Sequence, residues 1–335
     1  MSIKKVFWVF VILVFLGGAL GAGYGYYLVS SPQEPGGGEE IVRIKSGQGF
    51  KSITSQLAEQ GIVQHENVFY FWARITGKAQ EIQAGHFEVD TSWSVQEILE
   101  HLTLGKEKLY RLQIPEGLPW WEVGRILEER EVASFEEFRE VVHDQDFLEE
   151  MGISAPSAEG FLYPETYYLS PSRDVGAERL ARIMIDQFWR STQDLWEDKS
   201  FNEVYEAVKM ASLIEKETGV APERKKISGV FHNRLNENML LQCDPTVIYG
   251  LGKDFEGRLR RKHLDDEDNP YNTYQHRGFP PTPICSPGRA SLTAALNPEK
   301  HSYYYFVSKN DGTHHFSKTL QEHNRAVYRY QIQVR

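Results

Sequence analysis

The chemistry-bearing residues of this chain concentrate in positions 211–252, ASLIEKETGVAPERKKISGVFHNRLNENMLLQCDPTVIYGLG. Two glutamates, Glu215 and Glu217, end an apolar-periodic run there (Val204, Ala207, Val208, Met210, Ala211, Leu213, Ile214). A carboxyl packed beside apolar side chains resists ionising, and the partial negative charge at a helix C-terminus adds to that resistance. A carboxylic acid still protonated near neutral pH is what general acid catalysis at a glycosidic oxygen requires. The plainer reading is a solvated face on which both glutamates pair with Lys209, Lys216 or Arg224. Two residues apart on a helix, they lie about 200° apart and cannot share a face. Periodicity alone favours Glu215 as the more buried of the two.

A conventional glycosidase needs a second carboxylate at a set separation. Asp244 is the obvious choice, but Asp before Pro245 also reads as a helix cap followed by a first-turn proline. Glu165 stands among Phe161, Tyr163 and Tyr167; those aromatics serve equally as a sugar platform or as core. His314, His315 and His323 lack the two-histidine helix spacing of a zinc protease and fit a hairpin surface. No phosphate-cradling glycine loop precedes Lys-Ser/Thr, and no Gly-x-Ser-x-Gly elbow occurs. No metal and no cofactor is expected.

These residues need a frame. The 335 residues allow two or three domains, and 41% hydrophobic content is ordinary for globular protein. A net charge of −10 without a long basic stripe argues against nucleic acid. Lys4 and Lys5 precede a charge-free run at 6–29, long enough to cross a bilayer. Lysines before the span and an acidic remainder after it predict a cytoplasmic tail at 1–5, a transmembrane helix at 6–29 and the bulk of the chain outside. A cleaved signal peptide ending near Ala19-Leu20-Gly21 is the rival. Positions 30–40 (SSPQEPGGGEE) read as a tether reaching roughly 15–20 Å. Strand–turn–helix units at 41–63 and 86–104 then make a small α+β module over 41–108. A larger mixed α+β domain follows over 109–335, for an α+β fold overall. Within it, 134–200 reads as helical, Ser286 as the cap of a helix running through Ala295, and 303–317 as a hairpin followed by a closing helix from Thr319. Two cysteines, Cys243 and Cys285, exclude a disulfide scaffold and a four-cysteine zinc site; they either pair or lie as buried thiols.

Positions 42–58 resemble a LysM carbohydrate-binding module. Three further pieces resemble the soluble lytic transglycosylases and goose-type lysozymes. Glu217-Thr218 stands where their helix-terminal Glu-Ser would, Met239-Leu240-Leu241-Gln242 resembles their Gly-Leu-Met-Gln, and Pro270-Tyr271-Asn272 their Ala-Tyr-Asn. More of the chain is similar to the YceG-like family: 211–252, Tyr271-Asn272-Thr273-Tyr274, Pro280-Pro281 to Pro287-Gly288, and Tyr304-Tyr305-Phe306-Val307 with His315-Phe316. Cys243 and Cys285 depart from that pattern, standing where small or polar residues are usual.

That resemblance implies a peptidoglycan lytic transglycosylase with a lysozyme-like glutamate helix. It would be a single-pass protein of the inner membrane, cutting nascent glycan strands in the periplasm beside a penicillin-binding glycan polymerase. It implies Glu217 as the catalyst, with Glu215, Gln242, Tyr271 and Asn272 in support. Thr218, Asp244, Tyr249 and Tyr274 are the remaining candidates for substrate contact. The competing readings are a non-catalytic wall-binding protein and a hydrolytic muramidase.

Overall fold

The computed structural model describes residues 3–33, 37–45, 47–105, 109–169 and 176–333. The first two residues of the expected tail and positions 34–36 of the expected tether lie outside them. The chain is mixed α+β and divides into two compact units. One ends at Arg111 and takes back Tyr168 and Leu169; the other starts at Leu112 and holds the candidate site.

The first unit opens with helix α1 (Ile3–Ser30), of which Phe10–Ser30 is long and apolar enough to cross a membrane. Strand β1 (Glu39–Ile44), helices α2 (Phe50–Glu59) and α3 (Glu66–Ile75), strand β2 (Gly85–Asp90) and helix α4 (Val95–Leu104) follow. β1 and β2 pair antiparallel, Glu39 opposite Asp90 and Ile44 opposite Gly85. Alternation along each strand sends Val42, Ile44, Phe87 and Val89 inward. They meet Ile53 and Leu57 of α2, Phe69 and Ala73 of α3, and Ile98, Leu99 and Leu102 of α4. α4 starts where Ser94 and Glu97 form a reciprocal capping box.

The tether expected at 30–40 is docked at its described ends. Val29 belongs to the module's core at 4% exposure. Pro32 bridges to Ser94, the Gln33 N–H donates to the Trp93 carbonyl (3.2 Å), and Gln33 Oε1 accepts from the Gln64 N–H (3.1 Å). Gly38 and Thr91 exchange backbone and hydroxyl hydrogen bonds. A Pro/Gly-rich composition removes local preference, but it leaves the backbone free to be captured by a neighbouring segment.

Strands β3 (Tyr110–Gln113) and β4 (Thr166–Leu169) pair and carry the chain between the units. In the second unit come α5 (Trp120–Glu129), α6 (Phe135–Val141), α7 (Gln145–Glu150), α8 (Gly176–Thr192), α9 (Phe201–Glu217), α10 (Arg224–Asn236), α11 (Asp244–Leu251), α12 (Arg261–Leu264) and α13 (Arg289–Leu296). Strands β5 (Tyr305–Ser308) and β6 (His314–Ser317) form the expected hairpin, and α14 (Leu320–Val327) follows from a Thr319–Glu322 capping box. The aromatics around Glu165 are core: Phe161 is fully buried against Phe188 and Trp189, and Tyr163 and Tyr167 are buried too. Glu165 itself is exposed.

α9 organises this unit. A Ser200–Glu203 capping box starts it, and every residue from Met210 to Ile214 is buried. A helix buried on all sides needs neighbours on all sides, and α10, α11 and α13 supply them. Ser212, fully buried in mid-helix, accepts a hydrogen bond from the Ile284 N–H and so ties α9 to the proline-rich loop. The helix ends at Glu217. Thr218 is its extended C-cap, so termination does not rest on a left-handed Gly219. Likewise Ser286 does not cap α13; Gly288 holds that position.

Candidate active site

The last turn of α9 sends its two glutamates into different surroundings. Glu217 lines a cleft of about 520 Å³ whose walls include Arg234, Gln242, Asp244, Tyr274 and His314. Its Oε1 accepts a hydrogen bond from the Cys243 thiol at 3.0 Å. Burial raises the Glu217 pKa above the usual carboxylate value, and the Asp244 charge adds to that; Cys243, His314 and Arg234 act in the other direction. Burial and the neighbouring carboxylate in turn push the Cys243 thiol well up. It therefore stays protonated and remains a donor. With Oε1 occupied by that donor, the proton of the neutral acid belongs on Oε2.

The loop carrying Gln242 and Asp244 is held from several sides. Arg234, buried on α10, donates to the carbonyls of Leu240 (3.2 Å) and Leu241 (2.7 Å) through Nη1, and to that of Tyr304 (2.7 Å) through Nε. Gln242 has φ 51°, a left-handed conformation that costs a non-glycine residue on the order of 1 kcal/mol. Its N–H donates to the Thr273 carbonyl, and the Cys243 N–H donates to Thr273 Oγ1 at 2.9 Å. The kink leaves Leu241 and Cys243 buried and exposes Gln242 and Asp244 to the cleft.

Asp244 is not the helix cap its sequence context predicts. Cys243 occupies the capping position, without a side-chain hydrogen bond, and Asp244 is the first residue of α11. Its Oδ1 accepts from the Tyr274 hydroxyl at 2.6 Å, so the carboxylate is committed to the cleft wall. Burial and that hydrogen bond raise the Tyr274 pKa, which keeps the phenol a donor.

Glu215 faces away. Its Oε2 accepts from the Gly288 N–H (3.0 Å), and its Oε1 lies 3.6 Å from Arg224 Nη2, with both side chains nearly buried. Arg224 also donates to Ser291 Oγ. Glu116 stands beside this pair, its pKa raised by burial and by the Glu215 charge. Lys216 reaches the Gly117 carbonyl. This cluster clamps the end of α9 to the segments around 116 and 288.

Several other expected site residues are scaffold. Asn272 is fully buried; its Nδ2 donates to the carbonyls of His263, Leu264 and Asp266, and its Oδ1 accepts from the Tyr274 N–H. Tyr271 shares a hydrogen bond with Thr282 and packs on Tyr249. Tyr249 packs at a tilt against Trp121 and donates to Glu159. Glu159 also accepts from the Trp120 N–H and the Gly160 N–H, and burial pushes its pKa up to about 7. Thr218 Oγ1 accepts from the Val220 N–H and closes the turn after α9. Both cysteines are free and buried.

The cleft also takes in two of the histidines that the sequence assigns to a hairpin surface, His314 and His323. His314, whose Nδ1 lies 2.7 Å from Glu223 Oε2, lines it together with Arg234, Tyr305 and His323. The histidines are visible as a cluster in the sequence, but nothing local reveals that the hairpin folds against the end of α9. Among the described residues no group of three or more His, Cys, Asp or Glu is placed to hold a metal ion.

The YceG-like family profile matches residues 42–329. An endolytic murein transglycosylase of Bacillus subtilis (strain 168) is 30% identical over 324 residues, covering 92% of this chain and 89% of that protein. One from Streptococcus pneumoniae serotype 2 (strain D39 / NCTC 7466) is 28% identical over 355 residues, covering 96% of this chain and 64% of that longer protein. The crystal structure of a yceG-like protein from Listeria monocytogenes matches with a TM-score of 0.57 and 30% identity, over 86% of this chain and 99% of that one. An α+β enzyme of the lytic transglycosylase class is what fold, cleft and relatives define together. Within that class, the chain belongs to the YceG-like family.

Proposed function

We propose that this chain is an endolytic peptidoglycan lytic transglycosylase that cuts the β-1,4 bond between N-acetylmuramic acid and N-acetylglucosamine in nascent glycan strands. Its products carry 1,6-anhydro-N-acetylmuramic acid ends, and each cut terminates elongation of a strand. The observation that carries the reading is Glu217, a carboxyl with a raised pKa in a cleft walled by polar side chains.

The neutral Glu217 gives its proton to the bridging oxygen as the C1–O bond of the muramic sugar breaks. The resulting carboxylate removes the proton from that sugar's C6 hydroxyl, whose oxygen closes onto C1. The acid is regenerated, and no water is consumed. The negative charge of Asp244 has two effects here: it keeps Glu217 protonated beforehand and stabilises the positive charge that develops at C1. Gln242, exposed on the kinked loop, offers an amide to the acetamido groups.

The first unit supports a location for this chemistry. α1 anchors the chain in the inner membrane and leaves the catalytic unit in the periplasm. The β1–α2–α3–β2 order supports a LysM-like module that holds glycan. Docking of residues 31–33 onto that module confines it near the outer leaflet, where strands emerge. Confinement raises encounter with nascent glycan made by a neighbouring penicillin-binding polymerase.

A hydrolytic muramidase is the second reading, and Asp244 favours it, since its carboxylate lines the cleft instead of capping a helix. Purified full-length protein incubated with uncrosslinked glycan, followed by mass spectrometry, distinguishes them. Anhydro ends are the expected product. Reducing ends mean that water is activated, and an unchanged substrate means that the protein only binds.

A further inference from the structure

α1 and α3 of the first unit enclose an open apolar groove of about 590 Å³, walled by Ala22, Tyr26 and Val29 on one side and Phe71, Trp72 and Ile75 on the other. Phe71 and Ile75, one turn apart on α3, are 59% and 79% exposed. A small module with a well-filled core of its own has no folding reason to leave two large apolar side chains in water. We propose that α3 lies in the membrane interface and that lipid acyl chains fill this groove, so that the module rests on the outer leaflet through a defined face.

The depth of α1 makes the argument. Phe10–Ser30 is 21 residues, a length of about 31 Å that matches a hydrocarbon core of about 30 Å. With that span in place, Ser30 marks the outer boundary. Residues 22–29, which wall the groove, then lie within roughly 12 Å beneath it. α3 packs directly on this part of α1, and Val29 is buried in the module's core, so the module cannot stand off from the bilayer while these contacts hold. The surrounding residue types agree. Tyr24, Tyr26 and Tyr27 are all exposed near the end of α1, forming an aromatic belt that Phe71 and Trp72 extend. Arg74, exposed between Phe71 and Ile75, puts a cation on the same stretch of α3, the charge that anionic lipid headgroups attract. Lipid is favoured over another protein's helix because the groove is continuous with the surface of α1 that the bilayer itself covers.

The inference rests on the anchor reading of α1, and its test separates the two. The full-length chain carrying Phe71→Cys, Ile75→Cys or Leu20→Cys is labelled with an environment-sensitive dye; the native thiols are buried and stay unlabelled. It is reconstituted in phosphatidylethanolamine–phosphatidylglycerol vesicles, with or without lipids carrying a nitroxide on the acyl chain. The dyes at 71 and 75 should lose most of their emission to a shallow nitroxide and be shielded from iodide in the buffer. The dye at 20 should respond to a deeper one. Quenching of 71 and 75 by iodide alone, with the dye at 20 responding to nitroxide, overturns the inference and leaves the anchor standing. No nitroxide response at any position removes the anchor and the inference together. Shielding of 71 and 75 from both quenchers, with the chain crosslinking as a dimer, assigns the groove to a second copy and overturns lipid as the occupant.

Discussion

Replacing Glu217 with glutamine separates catalysis from stability in a way that the same change at Glu215 reverses. Glu217→Gln keeps the shape and the acceptor for the Cys243 thiol but removes the proton that the leaving oxygen must receive. General acid–base catalysis contributes about 10²–10⁴-fold, and this one group performs both halves, so turnover should fall by at least about 10³-fold. The fold should not suffer. A carboxylate whose pKa is raised by burial is destabilising once ionised, so the amide should leave the Tm unchanged or higher at neutral pH. Glu215→Gln instead removes the negative half of a nearly buried pair with Arg224. Breaking such a pair costs about 3–5 kcal/mol; with Glu116 still close to Arg224 and the Gly288 bond retained, about 2–3 kcal/mol is expected. For a unit of this size that is a Tm drop of roughly 4–12 °C, with activity largely kept at temperatures where the protein is folded. Release of anhydro-muropeptides by mass spectrometry and unfolding by scanning calorimetry read the two effects. If Glu217→Gln cuts at nearly the wild-type rate while folded Glu215→Gln is inactive, the roles are reversed and the reasoning fails.

The cleft's charges make opposite predictions for the pH profile. Activity should fall as pH rises through the Glu217 pKa; Asp244→Asn, which removes a charge that raises this pKa, should move the fall to lower pH, and Cys243→Ala, which removes a bond that lowers it, to higher pH. Initial rates across pH 4–9 on defined glycan check both signs, and shifts in the same direction would break the argument. The buried Glu159, raised to about 7, holds its proton in the folded state where the unfolded chain releases it. Its stabilising contribution is full below about pH 4.5 and is lost as pH rises through about 7. Glu159→Gln should therefore flatten the dependence of Tm on pH across that window, and an unchanged slope would assign the slope to other groups. Gly160 has φ +88°, and a Cβ there would stand 2.6 Å from Val208 Cγ1 and 2.8 Å from Pro283. Gly160→Ala should cost about 2–4 kcal/mol through strain and overpacking, and a Tm equal to wild type would show that the corner relaxes freely.

What the sequence by itself determined about this chain is local. The capping boxes of α4, α9 and α14 announce helix starts, because cap and partner lie three residues apart. The hairpin of β5 and β6 follows from its turn residues, and α1 from an uninterrupted apolar run. Periodicity favours Glu215 as the more buried of the two, but burial does not separate them: the Glu215 side chain is 7% exposed and Glu217 is buried as well. What it left open was which glutamate meets a cleft, since a face is chosen by what packs on it. Only the tertiary structure decided that Glu215 turns to Arg224 and Gly288 while Glu217 turns to Cys243 and the hairpin. The same holds for Asp244, which a local rule makes a cap and Tyr274, thirty residues away, makes part of a wall. Tyr249 looks like a ligand for sugar, and its hydroxyl is spent on Glu159, 90 residues away. Positions 31–33 read as tether until the backbone of residues 93–94 holds them. In each case the deciding contact is a hydrogen bond or ion pair across a long sequence separation. Its partner is set by how the core closes, and no window of neighbouring residues contains that information.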